Sequence, residues 1–362
     1  MDAKSRRRVL YDYLDRNNCT VQKGSEFTHT SIYDPSGTYY ISPEKTPKFI
    51  QLYKDTVRAG EELYFTEKHK DIGPIVIDLD FRFPYNGKDV VRMYAKTDIE
   101  RVIKLYTNAY TDFLDEDEEE GTIHDGTFKV YVMEKPNAIL HKGLIKDGVH
   151  IVIPDIVTRP VFQLMMRERL LEPINSALTN IGLSNPIADV VDEAVIERNN
   201  WQMVGSKKPH LDKYAVTHVY SFSVKDRELV EDVECLVDAG QSDFVEVLSI
   251  RNKFVETKIK FERADDLKKY EELVEARKMR IHFKNSIMSK TRNVKTNKVE
   301  TEDEYKRICA LVDLLSVERA ESYNDWIRVG WCLRNIDCRL VEKWVSFSQK
   351  SRKFVAGECE RQ

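Results

Sequence analysis

Gly73-Pro74-Ile75-Val76-Ile77-Asp78-Leu79-Asp80-Phe81 places a β-branched apolar run behind a Gly-Pro turn. Such a run reads as a buried strand. Asp78 and Asp80 stand at i and i+2, so both side chains leave the strand on one face, roughly 7 Å apart at the backbone. Two carboxylates facing one way from an apolar strand repel and are costly to bury. A divalent cation removes both problems, because Mg²⁺ prefers hard oxygen ligands. Two such ions can activate an attacking hydroxyl and stabilise a departing pyrophosphate. The bland alternative is a strand end whose acids reach solvent. DxD is short and common, and alone it leaves both readings open.

Further along comes Lys146-Asp147-Gly148-Val149-His150-Ile151-Val152-Ile153-Pro154. Lys146 and His150 flank a glycine at the mouth of a second strand, which Pro154 is expected to stop. Glycine permits close backbone approach to a ligand, and Lys and His are natural triphosphate contacts. The competing reading is a turn entering a core strand, with His150 bonded to backbone. A third element is Val190-Val191-Asp192-Glu193-Ala194-Val195, followed by Arg198, Asn199, Asn200, Trp201 and Gly205-Ser206-Lys207-Lys208. Asp192 offers one more metal ligand. Ser206, Lys207 and Lys208 offer an amide-and-cation clamp for phosphates. A surface loop with solvated lysines is the commoner alternative.

Around these motifs the chain alternates strands and helices without strict βαβ order. Residues 97–114 follow a helical period through Ile99, Ile103, Tyr106, Tyr110 and Phe113 after a Thr97-Asp98 cap. Residues 127–133 and 214–222 read as strands. Residues 161–181 read as a helix that Pro173 kinks or divides. The predicted fold class is α+β: a mixed or antiparallel-sheet catalytic domain over residues 1–283. Residues 284–300 are polar and basic with no apolar period, and read as a linker. Residues 301–355 then read as a small all-α module. Its faces are Ile308, Leu311, Val312 and Leu315; Tyr323, Trp326, Ile327 and Gly330; and Leu340, Trp344 and Phe347. Residues 356–362 read as a tail or a truncation point.

Composition narrows the class without deciding it. Of 362 residues 41% are hydrophobic, and 17 Tyr with 15 Phe supply area for a globular core. The formal charge is −4. Residues 115–120 carry six consecutive acids, expected to be a solvated loop. Net charge therefore says little about a nucleic-acid partner, and local distribution matters more. Six scattered Cys form no CxxC pair, so neither a zinc ribbon nor a redox pair is indicated. The basic N-terminus has no apolar stretch behind it, and no window is long enough to span a membrane.

The ordered set of three motifs resembles the archaeo-eukaryotic primase superfamily, in the primase–helicase branch of large DNA viruses. Phe27-Thr28-His29-Thr30-Ser31, Leu248-Ser249-Ile250-Arg251 and the C-terminal helices (YNDWIRVGWCL…LVEKWVSFSQKS) are similar to the same branch. The resemblance covers about residues 25–355. It implies that Asp78, Asp80 and Asp192 are catalytic and bind two divalent ions, Mg²⁺ or Mn²⁺. It implies that Lys146, His150 and Lys207 or Lys208 hold the incoming nucleoside triphosphate. It further implies a single-stranded DNA template, a superfamily-three helicase domain in the same longer chain, and a soluble, virus-encoded protein inside the infected cell. Many relatives place Ser two residues before the His, where this chain has Gly148. Some have Arg after the aromatic of the third motif, where Gln202 follows Trp201. Zinc-binding cysteines of other relatives are not visible here, so no zinc is expected. A metal-dependent nuclease or sugar transferase and a non-catalytic DNA-binding or helicase-loading module are the competing classes. Phosphodiester cleavage needs no triphosphate clamp, and a non-catalytic module has no need of all three carboxylates.

Overall fold

In the computed structural model the described residues are 5–22, 24–114, 123, 126–252, 254–292 and 301–361. The acidic run at 115–120 lies outside them. The chain divides into two units, residues 1–277 and 278–362. The first begins with α1 (Arg6–Arg16), β1 (His29–Ser31), β2 (Gly37–Tyr39), α2 (Thr46–Arg58) and β3 (Phe65–Glu67). Then come β4 (Gly73–Pro84), α3 (Lys96–Thr111), β5 (Thr127–Glu134), β6 (Ile139–His141) and β7 (Leu144–Thr158). These are followed by α4 (Pro160–Ala177), α5 (Ile187–Val190), α6 (Ala194–Glu197), β8 (Trp201–Gln202), β9 (Ala215–Ser223) and β10 (Glu228–Glu231). Helices α7 (Val233–Asp238) and α8 (Phe244–Val247) follow, and α9 (Ala264–Arg292) starts in this unit and crosses the division at 277.

The strands form two antiparallel sheets. One runs β2-β1-β3-β8; the other runs β10-β9-β5-β7-β4, with β6 also paired to β7. The period of two along β4 and β7 builds the molecule's layers. Ile75, Ile77, Leu79, Phe81 and Phe83 of β4, with Ile145, Val149, Ile151 and Ile153 of β7, enter a core shared with α3 and α4. Val76 and Val152 face the other way, into a second core with α1, α2 and the small sheet. Asp78, Asp80, Lys146, Gly148 and His150 lie on this second face by the same alternation.

Two expectations about proline meet the structure, and the first is corrected. Pro154 does not stop β7, which continues to Thr158. The β4–β7 register shifts there, from Ile75↔Ile153 to Pro74↔Val157. Pro154 thus falls in a bulge, where a missing N–H breaks no ladder bond. Pro173 does not divide its helix, because α4 runs through it to Ala177. Leu170 and Ile174 on either side are buried in the first core, and their packing holds the helix across the lost bond. The start of α3 also differs from the expected cap. Ala95 is the N-cap, and its N–H donates to Asp98 Oδ2 at 2.7 Å. Helix α9 extends to Arg292, so the first part of the expected linker is helical.

The second unit contains α10 (Glu302–Asp313), α11 (Val317–Glu321), α12 (Tyr323–Ile336), α13 (Val341–Ser348) and α14 (Glu358–Arg361). It has its own core around Val312, Trp326, Ile327, Leu333, Leu340, Trp344 and Phe347. Leu311 and Tyr323, expected on apolar faces, are exposed. Gly330 is required where it stands, since a Cβ there would fall 2.1 Å from the Trp344 ring. Trp344 stacks at 4.9 Å on Trp326, whose indole N–H donates to Ser348. No helix among the described residues is long and apolar enough to cross a membrane.

Candidate active site

The second face of the large sheet and the small sheet enclose a cleft of about 770 Å³. Asp78, Asp80, Lys146, Gly148, His150, Asp192 and Lys208 all line it. The strand register explains the first five, because Asp78 pairs with His150 and Asp80 with Gly148 across β4 and β7. Asp192 arrives from a distant part of the chain. Its N–H donates to the Asp78 carbonyl at 3.0 Å, while Val191 bridges Leu79. Arg167, buried on α4, holds this loop by donating to the Val191 and Ala188 carbonyls at 2.9 and 2.7 Å. Asn185 donates to the Asp80 carbonyl at 2.9 Å. The free edge of β4 is thereby covered by the segment that carries the third acid.

The electrostatics follow from this crowding. Asp78 is mostly buried, and burial, then Asp80, then Asp192 push its carboxyl up to about 7. Its Oδ1 is buried with no hydrogen-bond partner, and His150 Nε2 stands 3.6 Å away. Asp80 accepts from Lys146 at 3.0 Å. Asp192 Oδ1 accepts the Ala194 N–H at 2.9 Å. Burial, then Lys135 and Lys208, hold His150 well below the usual imidazole range, so it is neutral at pH 7. An orphaned, charge-averse carboxylate oxygen beside a second acid suits a divalent cation. Among the described residues no group of three or more His, Cys, Asp or Glu side chains is already arranged as a ligand shell. Asp78 and Asp80 therefore fit the ion as donors, and Asp192 stands next to them with one oxygen engaged by backbone.

Two members of the expected clamp lie elsewhere. Ser206 is fully buried; its Oγ accepts the Phe65 N–H at 2.8 Å and contacts Tyr53 Oη at 2.7 Å. Lys207 pairs with Glu62. Neither lines the cleft. In Gly-Ser-Lys-Lys, Ser206 anchors the turn to the small sheet, and only Lys208 is delivered to the cleft.

Other cleft residues were not legible from motifs. Lys135, just beyond β5, and Tyr214, just before β9, line the cleft, and the Lys135 ammonium sits 4.7 Å from the Tyr214 ring centre. Tyr214 stacks on His150 at 3.7 Å, and Trp201 lies 4.6 Å from the same imidazole. His150 is thus held between two rings. Gly148 makes room for Tyr214, because a Cβ at 148 would fall 2.8 Å from the Tyr214 hydroxyl. Lys135, Asn137, Ile139 and His141 also line the cleft, the first two from the turn after β5 and the last two from β6. The stretches at 27–31 and 248–251 meet at buried Glu67. It accepts from Ser249 Oγ at 2.5 Å and Ile250 N at 2.9 Å, with His29 Nε2 at 3.6 Å. That network is structural, and of these stretches only Thr30 lines the cleft.

Residues 28–220 match the family model described as the C962R protein N-terminal AEP domain, AEP denoting archaeo-eukaryotic primase. Residues 308–362 match Primase C terminal 2 (PriCT-2). The chain is 33% identical, over 97% of its length, to a protein of Acanthamoeba polyphaga mimivirus provisionally named a helicase, L207/L206. It is 24% identical over 92% of its length to 184R of Invertebrate iridescent virus 6, and 22% identical over 94% to 121R of Invertebrate iridescent virus 3, both named in the same way. The chain spans 38%, 36% and 37% of the lengths of these curated relatives.

Proposed function

Because the chain belongs to the archaeo-eukaryotic primase family, we propose that it synthesises primers, joining nucleoside triphosphates in the order set by a single-stranded DNA template. One observation carries this reading: Asp78, Asp80 and Asp192 share a cleft with Lys135, Lys146 and Lys208. Carboxylates alone would serve a nuclease. Carboxylates facing three cations suit a metal-bound triphosphate, whose charge needs both.

In this reading Asp78, Asp80 and Asp192 hold two divalent ions, Mg²⁺ or Mn²⁺. When bound, such ions activate the attacking hydroxyl and stabilise the pyrophosphate that leaves. Lys146 and Lys208 neutralise the triphosphate oxygens as point charges. His150, kept neutral, offers a hydrogen bond instead of a charge, and the flanking Tyr214 and Trp201 rings fix its plane. Arg167 keeps Asp192 beside Asp78 through the 188–191 loop. We further place the chain as part of a longer virus-encoded protein that carries a superfamily-three helicase domain and acts in the infected cell; the names and lengths of the relatives support this.

The test is incubation of the purified chain with single-stranded DNA, labelled nucleotides and Mg²⁺ or Mn²⁺. Short products of defined length are expected. A shortened template with no product would replace the primase reading with the nuclease one.

A further inference from the structure

The cleft has a lip that the chemistry above does not use. Ile32 and Tyr33 follow β1 directly, and both are exposed, by 42% and 41%. Ile32 lines the cleft, while the Tyr33 ring rests edge-on against Tyr64 at 5.1 Å and His210 at 5.9 Å. His210 is itself exposed and holds a left-handed backbone, φ 61°, which a non-glycine residue adopts at a cost. Its neighbours Lys208, Pro209 and Leu211 line the cleft. Two separate segments thus converge on one rim, and each presents an aromatic ring outward.

The charges around the rim are matched to an anion. Asp34 is paired with Arg7 and Glu62 with Lys207, while Asp212 accepts a hydrogen bond from the neutral Asn137 amide and keeps its charge. Lys208 and Lys213 have no ion pair among the described residues. With two of these three acids paired and both lysines unpaired, the rim keeps a surplus of positive charge, which attracts phosphate. Exposed rings beside such cations suit unpaired bases, since every base has a face that can stack.

We infer that Tyr33 and His210 form a stacking lip that holds an unpaired base of single-stranded template DNA at the edge of the cleft, with Lys213, three residues beyond His210, toward its backbone. The template role rests on reading the cleft as the nucleotide site; the binding itself does not. The lip is preorganised, because Tyr64 and His210 already hold Tyr33, so little rotamer freedom is lost on binding. It discriminates single strands from duplex, whose bases are already stacked and paired.

The experiment uses the full chain and a fluorescein-labelled oligothymidylate, followed by anisotropy, with a blunt duplex as the second probe. Tyr33→Ala should weaken single-strand binding about tenfold, Tyr33→Phe should restore it, and duplex affinity should stay as in the parent. His210→Ala should weaken single-strand binding severalfold, and it serves alone if Tyr33→Ala fails to fold. Unchanged single-strand affinity in folded Tyr33→Ala, or in His210→Ala, overturns the lip. So does an equal loss toward single strand and duplex. If the parent binds oligothymidylate through Tyr33 yet incorporates no nucleotide with either metal, the lip stands and the primase reading falls. If the parent makes primers and Tyr33→Ala binds as the parent does, the reverse holds.

Discussion

Asp78 is a group that the fold destabilises. An unfolded aspartate titrates near 4, whereas Asp78 in the fold titrates at about 7. Between those values the native state binds more protons than the unfolded one, so stability falls as pH rises from about 4 to 7 and then levels off. Asp78→Asn removes the penalty. The metal-free variant should be more stable than the parent at pH 8, by on the order of 1–2 kcal/mol, and the two should converge toward pH 4. That figure is discounted because 15% of the side chain remains exposed. Thermal melts at both pH values check it; equal melting temperatures at pH 8 would sink it. Mg²⁺ should raise the melting temperature of the parent and not that of the variant, and the variant should make no primer. Gly148 sets a second residue-scale test. Gly148→Ala presses a methyl against the Tyr214 hydroxyl and should cost about 1–3 kcal/mol. Tyr214→Phe removes the nearer obstructing oxygen and keeps the ring on His150, so the double variant should recover part of that loss, the Leu79 carbonyl at 3.2 Å remaining in the way. Urea unfolding of the two single variants and the double variant measures the coupling, and strict additivity would refute the steric account.

At the scale of elements, β4 was legible because its period of two survives in the sequence, and Asp78 and Asp80 stand out against apolar neighbours. Its partner β7 was only half legible. Whether a proline ends a strand depends on what the facing strand does, and here the shifted register absorbs Pro154. The loop bearing Asp192 depends on a contact that no local pattern reveals, the Arg167 guanidinium on α4. Arg167→Met keeps the apolar stem and deletes the donors to Val191 and Ala188. It should cost about 2–4 kcal/mol, because two buried carbonyls lose their partner. It should also lower metal affinity and primer synthesis more than nucleotide binding through Lys146. Titration of Mn²⁺ against the folded variant decides; unchanged affinity would mean that the loop holds Asp192 without Arg167.

Across the whole molecule the candidate site is built from the first unit, and the second has a core of its own. Of the cations Arg328, Arg334, Lys343, Lys350, Arg352 and Lys353 in the helical module, three are spent inside it. Lys343 pairs with Asp313, Lys350 donates to the Asp313 and Leu315 carbonyls, and Lys353 donates to the Glu321 carbonyl. Lys350 and Lys353 thereby cap the ends of α10 and α11. Arg328, Arg334 and Arg352 have no ion pair among the described residues. A chain ended after Arg292 should therefore still add nucleotides to a primed template, while initiation without a primer falls. Primer extension and de novo synthesis assayed side by side, with circular dichroism on the shortened chain, check this. Loss of extension from a folded truncation would make the module part of the active site.

The sequence by itself determined the α+β class, the strand carrying two carboxylates, the second strand's Lys146 and His150, and the helical character of the C-terminal region. All of these are written in short-range periodicity and in side-chain chemistry that one segment displays alone. Only the tertiary structure decided which residue of a run reaches the cleft. Ser206 and Lys207 are turned to Tyr53 and Glu62, and Lys208 is delivered. Only tertiary structure brought Lys135 and Tyr214 to His150 and tied Asp192 to the Asp78 backbone. Those pairings join segments tens of residues apart. Burial, and with it the titration of Asp78 and His150, exists only once the two sheets have closed over them.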